Sequence, residues 1–486
     1  MLRTITLLLG FFALSCSPVL SETYYVAPLD TKISGTPAGT ESQPFLSIGA
    51  ALKSGKVKGG DTLLLKDGAY GAVTIKTNAA FDVPVTIMSQ NGKAAHFDSI
   101  LLALDTRKLI LRNLSVWPRD PGKGTNYLVR AYETTSDITL DGMEVRSEKD
   151  AAGYMSWDAG KWEARKYSGI LLQGPRGKVL NSQLTGINHG IMVGNDSQII
   201  SNTIVGFNGD GMRAASNSLV KNNSVYNCVK TNGNHDDGFQ GINAKNLTLD
   251  SNIIIEWNGN PNHPLRCTLQ GIGFFGGEDK NLTIVNNLVV VSSYHGISIY
   301  GVQGARVLNN TVVHSKGLTL AYPYIAIRPT KSGVNPTDVL VANNLAMSVQ
   351  GKTSAKDRVE FRNNSAIGTP ALVFKNPAAF DYRPKASSSY IDTADPSLAP
   401  PTDLTGQKRP SGKGPDRGAY EVSMDGASVS PEVVSPTPPS VTTRPTAPSV
   451  ATAPAATTIT DKTTAGTAIT TITSTGGSKR IILVTK

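Results

Sequence analysis

An internal repeat runs through the middle of the chain and limits the folds open to it. An asparagine recurs every 20 to 35 residues, flanked by β-branched residues or leucine, as in Ile284–Val290. A repeat this short is typical of a solenoid, in which each unit packs on its neighbours and not into a separate core. The repeated asparagines are Asn202, Asn223, Asn252, Asn287, Asn310, Asn344 and Asn364.

A second motif, a glycine followed by an apolar residue, alternates with the asparagines. If the apolar residue points inward, the next residue points outward. A basic period near 21 residues with two or three short strands is typical of one coil of a parallel β-helix. Asparagine tolerates the left-handed bend at a strand corner, and stacked amides bond along the axis. A leucine-rich solenoid is the alternative, but its leucine spacing is missing. The inward residues are Ile191, Met212, Phe239, Ile272 and Ile297.

The composition agrees with many short strands and many turns. Aromatic residues make up 6% of the 486 residues, and 47 residues are glycine, which disfavours a helical bundle. The net charge is +10. That charge favours a polyanionic partner. The absence of a concentrated lysine and arginine stripe, together with export, disfavours nucleic acid.

The two ends of the chain differ from its middle. Residues 1–21 have the charged, apolar and small-residue regions of a signal peptide, with a lipoprotein at Cys16 as the alternative. We therefore expect a secreted protein, extracellular or periplasmic, without a membrane span and monomeric. Residues 22–423 form the predicted β-helix domain. Residues 424–486, rich in Thr, Ser, Pro and Ala, form a predicted disordered tail.

Two cysteines remain after removal of the signal peptide, Cys228 and Cys267. In an oxidising compartment the pair is compatible with a disulfide or with two free, partly buried thiols. Their spacing of 39 residues does not indicate a metal site.

Motifs at both ends of the predicted domain extend the fold prediction. The start contains Tyr24–Pro28, Gly39–Phe45 and Gly60–Leu65, and the end contains Pro415–Glu421. With these motifs the chain resembles the right-handed parallel β-helix proteins of the pectate-lyase-like superfamily. The resemblance implies an all-β fold, a helix near 45–54 that caps the coil, and a groove along the axis for a long polysaccharide.

Polar residues gather at corresponding positions of successive coils. The position before each repeat glycine carries a histidine, an acid or glutamine, and 234–240 is the densest polar cluster. Turn chemistry explains any one of these residues, but not their recurrence along one edge. We therefore predict a functional site there. Its members before the glycines are His189, Asp210, Asp237, Gln270 and His295, and those two residues after them include Arg213 and Gln240.

A lyase acting on a uronic-acid polymer needs a cation on the sugar carboxylate, a base and an acid. Arg213 is the predicted carboxylate clamp, because a guanidinium binds a carboxylate bidentately. His235 or His189 is the predicted base, and Tyr294 or His295 the predicted acid. An epimerase needs nearly the same set.

A glycoside hydrolase instead needs two carboxyl groups. Asp210 and Asp237, on adjacent coils, could supply them, with Asp236 in reserve. The segment Asp236–Gly238 resembles β-helix polygalacturonases, which use paired aspartates on neighbouring coils, although the chain lacks their Gly-His-Gly and Arg-Ile-Lys motifs.

Other residues extend these predictions. Lys245 and Arg266 form a competing lyase pair. A Ca²⁺ ion on Asp210, Asp236 and Asp237 is a further option, since hard cations take carboxylate oxygens, although no dedicated calcium loop is visible. Two insertions, 146–166 and 257–270, are expected to extend the groove. Two tryptophans of the first insertion are candidate sugar-binding residues, with loop packing as the alternative: Trp157 and Trp162.

Three functions follow from the sequence. The leading prediction is a secreted polysaccharide lyase that cleaves an acidic polysaccharide by β-elimination. The alternatives are a glycoside hydrolase on the same scaffold and a non-catalytic carbohydrate-binding surface protein. The sequence does not identify the sugar or the linkage.

Overall fold

The computed structural model describes residues 21–77, 81–122, 126–315, 323–351 and 358–423, and the backbone of three short strands between 462 and 484. Within 21–423 the chain winds into a solenoid of parallel strands, as the repeats predict. The predicted signal peptide lies outside the described residues, apart from its last residue. Most of the predicted disordered tail lies outside them too.

One face of the solenoid, the first sheet, is a stack of 13 parallel strands among the described residues. Alternating residues of each strand point inward, as Leu63 and Leu65 do with 0% exposure. The strands of the first sheet are Thr23–Val26, Thr62–Leu65, Val85–Ser89, Arg107–Arg112, Ser136–Asp141, Lys178–Leu180, Gln198–Ile200, Leu219–Lys221, Thr248–Asp250, Lys280–Val285, Gln303–Leu308, Thr337–Ala342 and Val359–Arg362.

Two further stacks of parallel strands, joined at their start, form the other faces. We call them the second and the third sheet. The second sheet contains Gly68–Ile75, Ala95–Leu102, Tyr127–Ala131, Ser168–Leu172, Ile191–Val193, Met212–Ala214, Asp237–Gly241, Gln270–Phe274, His295–Tyr300, Tyr324–Arg328 and Ser348–Gly351. The third sheet contains Ser115–Val116, Glu144–Arg146, Gln183–Ile187, Thr203–Phe207, Ser224–Cys228, Ile253–Ile255, Leu288–Val291, Thr311–His314, Leu345–Ala346 and Ser365–Ala366.

The core is a set of apolar rows that run along the solenoid axis. In the second sheet Ile191 pairs with Met212, Met212 with Phe239, and Phe239 with Ile272, which pairs with Ile297. All five side chains are buried, as predicted. Because strand side chains alternate, this inward row forces the neighbouring row to face outward. The outward row of the second sheet is therefore the candidate binding surface.

The repeated asparagines form the predicted amide ladder. Asn252 shows the pattern: its Oδ1 accepts from Asn223 Nδ2 at 2.9 Å, and its Nδ2 donates to Asn287 Oδ1 at 2.9 Å. One detail differs from the prediction. The left-handed backbone belongs to the residue before each stacked asparagine, as at Asn222 and Ser251. The corner residue turns the chain, and the stacked residue bonds the coils.

A helix covers the first coil of the solenoid. The helix Ile48–Lys53, within the predicted capping helix, begins at Ser47, whose hydroxyl accepts from Ala50 N at 3.0 Å, and packs on the first strand. After the last coil, Phe374–Asn376 and Asp381–Pro384 pair antiparallel. A short helix, Pro370–Val373, precedes this pair, and a 3₁₀ turn, Pro377–Ala379, lies between its strands.

Residues 385–422, which we call the closing segment, then return along the coils. Asn286 Nδ2 donates to Thr402 O at 3.0 Å, and Asn309 Nδ2 to Asp416 O at 3.0 Å. A buried ion pair joins Arg409 to Glu421 at 3.0 Å, within this segment. The left-handed corner residues of the ladder thus hold the final segment in place.

The two insertions lie on the third sheet. The first forms a 3₁₀ turn, Ala151–Ser156, and a helix, Ala159–Ala164. The second is tied to it where His263 Nε2 lies 2.9 Å from Met155 O. Gly206, with φ +65, leaves room for the Tyr154 ring, because a Cβ there would lie 2.5 Å from it.

Cys228 and Cys267 form a disulfide, which decides between the two alternatives for this pair. The bond ties the second insertion to the end of a third-sheet strand. The buried carboxylate of Glu256 also anchors this insertion, by accepting from Arg266 Nε at 2.7 Å and Leu269 N at 3.1 Å.

Residues 439–486 form a separate unit. Its described strands pair antiparallel and are Lys462–Thr464, Thr467–Ile472 and Arg480–Val484. The disorder predicted for the remainder of 424–486 stays a prediction.

Candidate active site

The polar column that was predicted from the repeats lies at one edge of the second sheet. Successive coils bond there through the backbone: Gly190 N donates to Asp210 O at 2.9 Å, and Gly211 N to Asp237 O at 2.8 Å. Asp237 pairs with Gln270 on the next coil. The structure thus brings residues that are 21 to 33 positions apart in the sequence onto neighbouring coils.

An ion pair occupies the centre of this column. Asp210 is buried, and its Oδ2 accepts from Arg213 Nε at 2.6 Å. Its Oδ1 accepts from the backbone N of Asp237 at 3.1 Å. Arg213, on the outward row, has a side chain that is 36% exposed. Asp210 therefore supplies a negative charge to the site and positions both Arg213 and Asp237.

Asp237 is the most strongly perturbed carboxyl group of the site. Burial, followed by the charge of Asp210, raises the pKa of Asp237 to about 8. Its Oδ2 accepts from Gln240 Nε2 at 3.2 Å, whereas its Oδ1 is buried without a hydrogen-bond partner. Gly273, on the next coil, leaves room beside that oxygen for the Phe275 ring, because a Cβ there would lie 2.9 Å from Oδ1 and 2.4 Å from the ring. A pKa in this range favours the protonated form of Asp237 at neutral pH.

Asp236 is a second buried acid beside it. Burial, followed by the charge of Asp210, raises the pKa of Asp236 to about 7. Its Oδ1 is also buried without a partner, and its Oδ2 lies 3.8 Å from Cys228 Sγ. The disulfide and its loop thus form the wall behind this carboxyl group.

The three predicted histidines differ in their surroundings. Burial lowers the pKa of His189, and its Nδ1 accepts from Asp210 N at 3.1 Å. In a neutral ring Nε2 then carries the proton and Nδ1 is engaged by Asp210, so the role of His189 as a base stays a prediction. Burial lowers the pKa of His295 to about 4, which favours the neutral imidazole, and its role as the acid stays a prediction. His235 is exposed.

Aromatic side chains surround His295. The ring of Tyr294 lies 4.0 Å from the ring of His295, and Tyr294 is 49% exposed. Phe275 contacts His295 with ring centroids 5.2 Å apart. Tyr294 therefore stays accessible at the C-terminal end of the column, as a substrate-binding side chain would.

Four other predicted residues lie away from the column. Lys245 is exposed and pairs with Lys280 at the first sheet, whereas Arg266 is committed to Glu256 on the third-sheet side. The two therefore do not form a catalytic pair. Trp157 and Trp162 are 4% and 1% exposed and pack on each other, so they do not offer a face to a sugar. Loop packing is what the structure shows for both.

The residues do not fit a Ca²⁺ ion on Asp210, Asp236 and Asp237. The Arg213 guanidinium already occupies one Asp210 oxygen, so a cation there would meet a positive charge. A group of Cys228, Asp236 and Cys267 offers ligand atoms within 4.8 Å of one another, but both sulfurs are bonded in the disulfide.

The sequence analysis missed two arginines of the second sheet. Arg130 aligns with Leu171 on the outward row, and Arg328 aligns with Tyr300. Both lie on coils that lack the repeat glycine, so the motif search passed over them. Strand alternation within Tyr127–Ala131 and Tyr324–Arg328 was the signal that could have found them.

None of the helices in the described part of the chain is long and apolar enough to cross a membrane. A search among curated proteins found no match.

Solved structures similar to this chain include three carbohydrate-active proteins. Pectate lyase Pel9A matches at 16% identity and TM-score 0.41, over 82% of this chain and 96% of that one. The A-module of Azotobacter vinelandii mannuronan C-5 epimerase AlgE6 matches at 14% identity and TM-score 0.45, over 66% of this chain and 92% of that one. The GH87 α-1,3-glucanase from Streptomyces thermodiastaticus matches at 14% identity and TM-score 0.37, over 72% of this chain and 69% of that one.

A family model agrees with the coil geometry. Residues 168–326, which contain the polar column, match the model described as a right handed beta helix region. The stacked parallel strands extend this architecture to both sides of the matched residues. The chain is a right-handed parallel β-helix protein.

Proposed function

We propose that this protein cleaves glycosidic bonds of an acidic polysaccharide by hydrolysis on the second sheet. One observation carries the proposal: adjacent coils hold two buried carboxyl groups with contrasting surroundings. Asp210 is bound to Arg213 as an ion pair, whereas the pKa of Asp237 is raised to about 8. An acid and a carboxylate side by side are what hydrolysis of a glycosidic bond requires.

The two carboxyl groups then have separate roles. Asp237 donates its proton to the leaving oxygen as the bond breaks. Asp210 accepts a proton from the attacking water through a remaining lone pair, and its charge favours the positive charge that develops on the sugar ring. Arg213 supplies the counter-charge of Asp210, because its guanidinium donates to Oδ2.

Burial supports these roles more than a purely structural one. Asp236 and Asp237 are 2% and 1% exposed, and each has one oxygen without a partner. Leaving a buried polar atom unpaired costs about 1–3 kcal/mol, so a binding surface alone gives no reason for two of them.

β-Elimination is the second candidate, favoured by His295. Its pKa of about 4 keeps the imidazole neutral, so it can take a proton, and Arg328 lies close enough to contribute to that lowered pKa. This candidate ranks second because Arg213, the predicted carboxylate clamp, is already neutralised by Asp210. An epimerase would use the same groups.

The products distinguish these functions. We expect incubation with polygalacturonate or alginate to release reducing ends without absorbance from a new C=C bond. Asp237→Asn should lower turnover by about 10²-fold or more, because it removes the acid. Asp279→Asn is the matched control: Asp279 is also buried with a raised pKa, but it bonds Ala244 N at 2.8 Å beside the first sheet.

Each other result has a clear meaning. Reducing ends accompanied by C=C absorbance would move the proposal to β-elimination. Binding without either product would leave a carbohydrate-binding protein. Equal losses in Asp237→Asn and Asp279→Asn would contradict the role of Asp237.

A further inference from the structure

Two arginines on the second sheet have closely similar surroundings. Arg130 lies over the Tyr132 ring at 4.7 Å, and its Nη2 donates to Gln173 Oε1 at 3.4 Å. Arg328 lies over the Tyr324 ring at 5.1 Å and donates to Gln350 Oε1 at 2.6 Å. Each guanidinium is thus positioned by an aromatic face and a neutral amide.

Neither arginine has an acidic partner among the described residues. Other arginines with described ion pairs, such as Arg213 and Arg176, bond a carboxylate at 2.6 Å. An arginine that is held in place without a carboxylate keeps its charge and its planar donors available to an anion. The same surroundings on two separate coils are difficult to explain by packing alone.

Asp210, Asp236 and Asp237 form the carboxyl cluster of the site, and the two arginines lie on opposite sides of it. Pairing runs from Arg130 through Leu171 and Met192 to Arg213, and then to the coil of Asp237. That is four coils, or about 19 Å at about 4.8 Å per coil. On the other side, Arg328 is three coils beyond Asp237, or about 14 Å.

The surface between Arg130 and the carboxyl cluster suits a sugar chain. Its outward side chains are Leu171 and Met192, both partly exposed and uncharged. Tyr127 lies beside them, with its hydroxyl 3.3 Å from Met192 Sδ. An apolar floor that ends at a fixed cation can accept the C–H face of sugar rings and then a carboxylate.

We propose that Arg130 is a distal anion-binding residue that takes a carboxylate of a polyuronate about four coils from Asp237, with Arg328 as its counterpart on the other side. This inference deepens the proposed function, on which it rests for the position of the scissile bond. It predicts a substrate that is a polyanion of several sugars, with charges on both sides of that bond.

The test measures binding without turnover. In the Asp237→Asn background we expect polygalacturonate or alginate to bind, and neutral dextran not to bind. Adding Arg130→Gln should weaken binding of the polyuronate about tenfold, or by about 1.4 kcal/mol, because it removes charge-assisted hydrogen bonds to a carboxylate. Arg328→Gln should act in the same direction.

Arg306→Gln is the matched control, because Arg306 is exposed on the first sheet and its loss changes the net charge equally. It should leave the Kd unchanged. The loss of affinity caused by Arg130→Gln should also be smaller for oligomers that are too short to reach four coils from residue 237. Melting temperatures of all variants confirm that they are folded.

Three results would overturn the inference: neither polyuronate binds, Arg130→Gln binds as before, or Arg306→Gln weakens binding as much as Arg130→Gln does. Failure of the proposed function is a separate result. If the unmodified protein releases no product but Arg130→Gln still weakens polyuronate binding, the subsite stands and hydrolysis does not.

Discussion

Protonation of Asp237 depends on its surroundings and not on its residue type. Asp237 is 1% exposed and lies beside the charge of Asp210, whereas an exposed aspartate titrates near pH 4. The folded state therefore binds a proton that the unfolded state releases. An acid that stays protonated at neutral pH is produced by the fold itself, at a measurable cost in stability.

That cost gives a prediction. Below about pH 4 both states hold the proton, and between about pH 4 and pH 8 only the folded state does. The stability of the folded state therefore falls as pH rises from about 4 to about 8. Asp237→Asn has no such titration. We expect its melting temperature, relative to the unmodified protein, to rise by several degrees from about pH 5 to about pH 9.

Thermal unfolding at several pH values checks this. Asp105→Asn, at an exposed left-handed position that asparagine tolerates, is the control and should show no such trend. A constant difference between Asp237→Asn and the unmodified protein across this range would contradict a raised pKa.

Residue roles were only partly predictable. The repeat places Asp210 and Asp237 on adjacent coils, so their proximity followed from the sequence. That Arg213 is neutralised by Asp210, and that His189 accepts from Asp210 N, depends on side-chain geometry which the repeat does not specify. The sequence left two alternatives for Trp162, sugar binding and loop packing, because the period does not indicate on which sheet an insertion packs.

The asparagine ladder is the element that bonds the coils. Asn252 takes part in four buried side-chain hydrogen bonds, with Val220 O, Asn287 Oδ1, Asn223 N and Asn223 Nδ2. Asn364, near its end, is only partly buried. Interior positions of the ladder should therefore contribute more to stability than its end.

We predict that Asn252→Ala lowers the free energy of unfolding by about 3 kcal/mol or more, since it leaves several buried groups unpaired. Asn364→Ala should cost about 1 kcal/mol, because water can reach its former partners. Urea unfolding measures both. Equal losses of unfolding free energy in the two variants would contradict a larger contribution from interior positions of the ladder than from its end.

The closing segment contains a buried ion pair with a testable contribution. The Arg409 and Glu421 side chains are each 1% exposed. Arg409→Met leaves Glu421 buried without its counter-charge and should cost about 3–5 kcal/mol. Arg358→Met, which breaks an exposed pair with Asp338, should cost less than about 1 kcal/mol in the same unfolding experiment. Similar losses in both variants would contradict the anchoring role of Arg409.

At the element scale the sequence was informative where the pattern repeats. Inward rows, stacked asparagines and the capping helix followed from periodicity and motifs. The left-handed corners were assigned one residue too late, since Asn222 bends while Asn223 stacks, and a pair of adjacent polar residues does not reveal which one turns the chain.

At the scale of the whole molecule, the hydrogen bonds that hold the end of the solenoid domain are complete before residues 423–486 begin. Glu421 N donates to Asp403 Oδ2 at 2.8 Å, and Val422 N donates to Asp416 Oδ2 at 2.7 Å. We therefore predict that a chain ending at Val422 keeps its melting temperature and its turnover. A loss of tens of degrees on this truncation would show that 423–486 supports the fold.

The central claim is that Asp237 acts as a protonated acid beside ionised Asp210. The most direct measurement is the pH dependence of kcat on a polyuronate substrate, compared between the unmodified protein and Asp279→Asn. Both should lose activity as pH rises through about 8, where Asp237 ionises, and Asp237→Asn should show only residual turnover without this descending limb. Activity that persists well above pH 8, or full activity in Asp237→Asn, would contradict the claim.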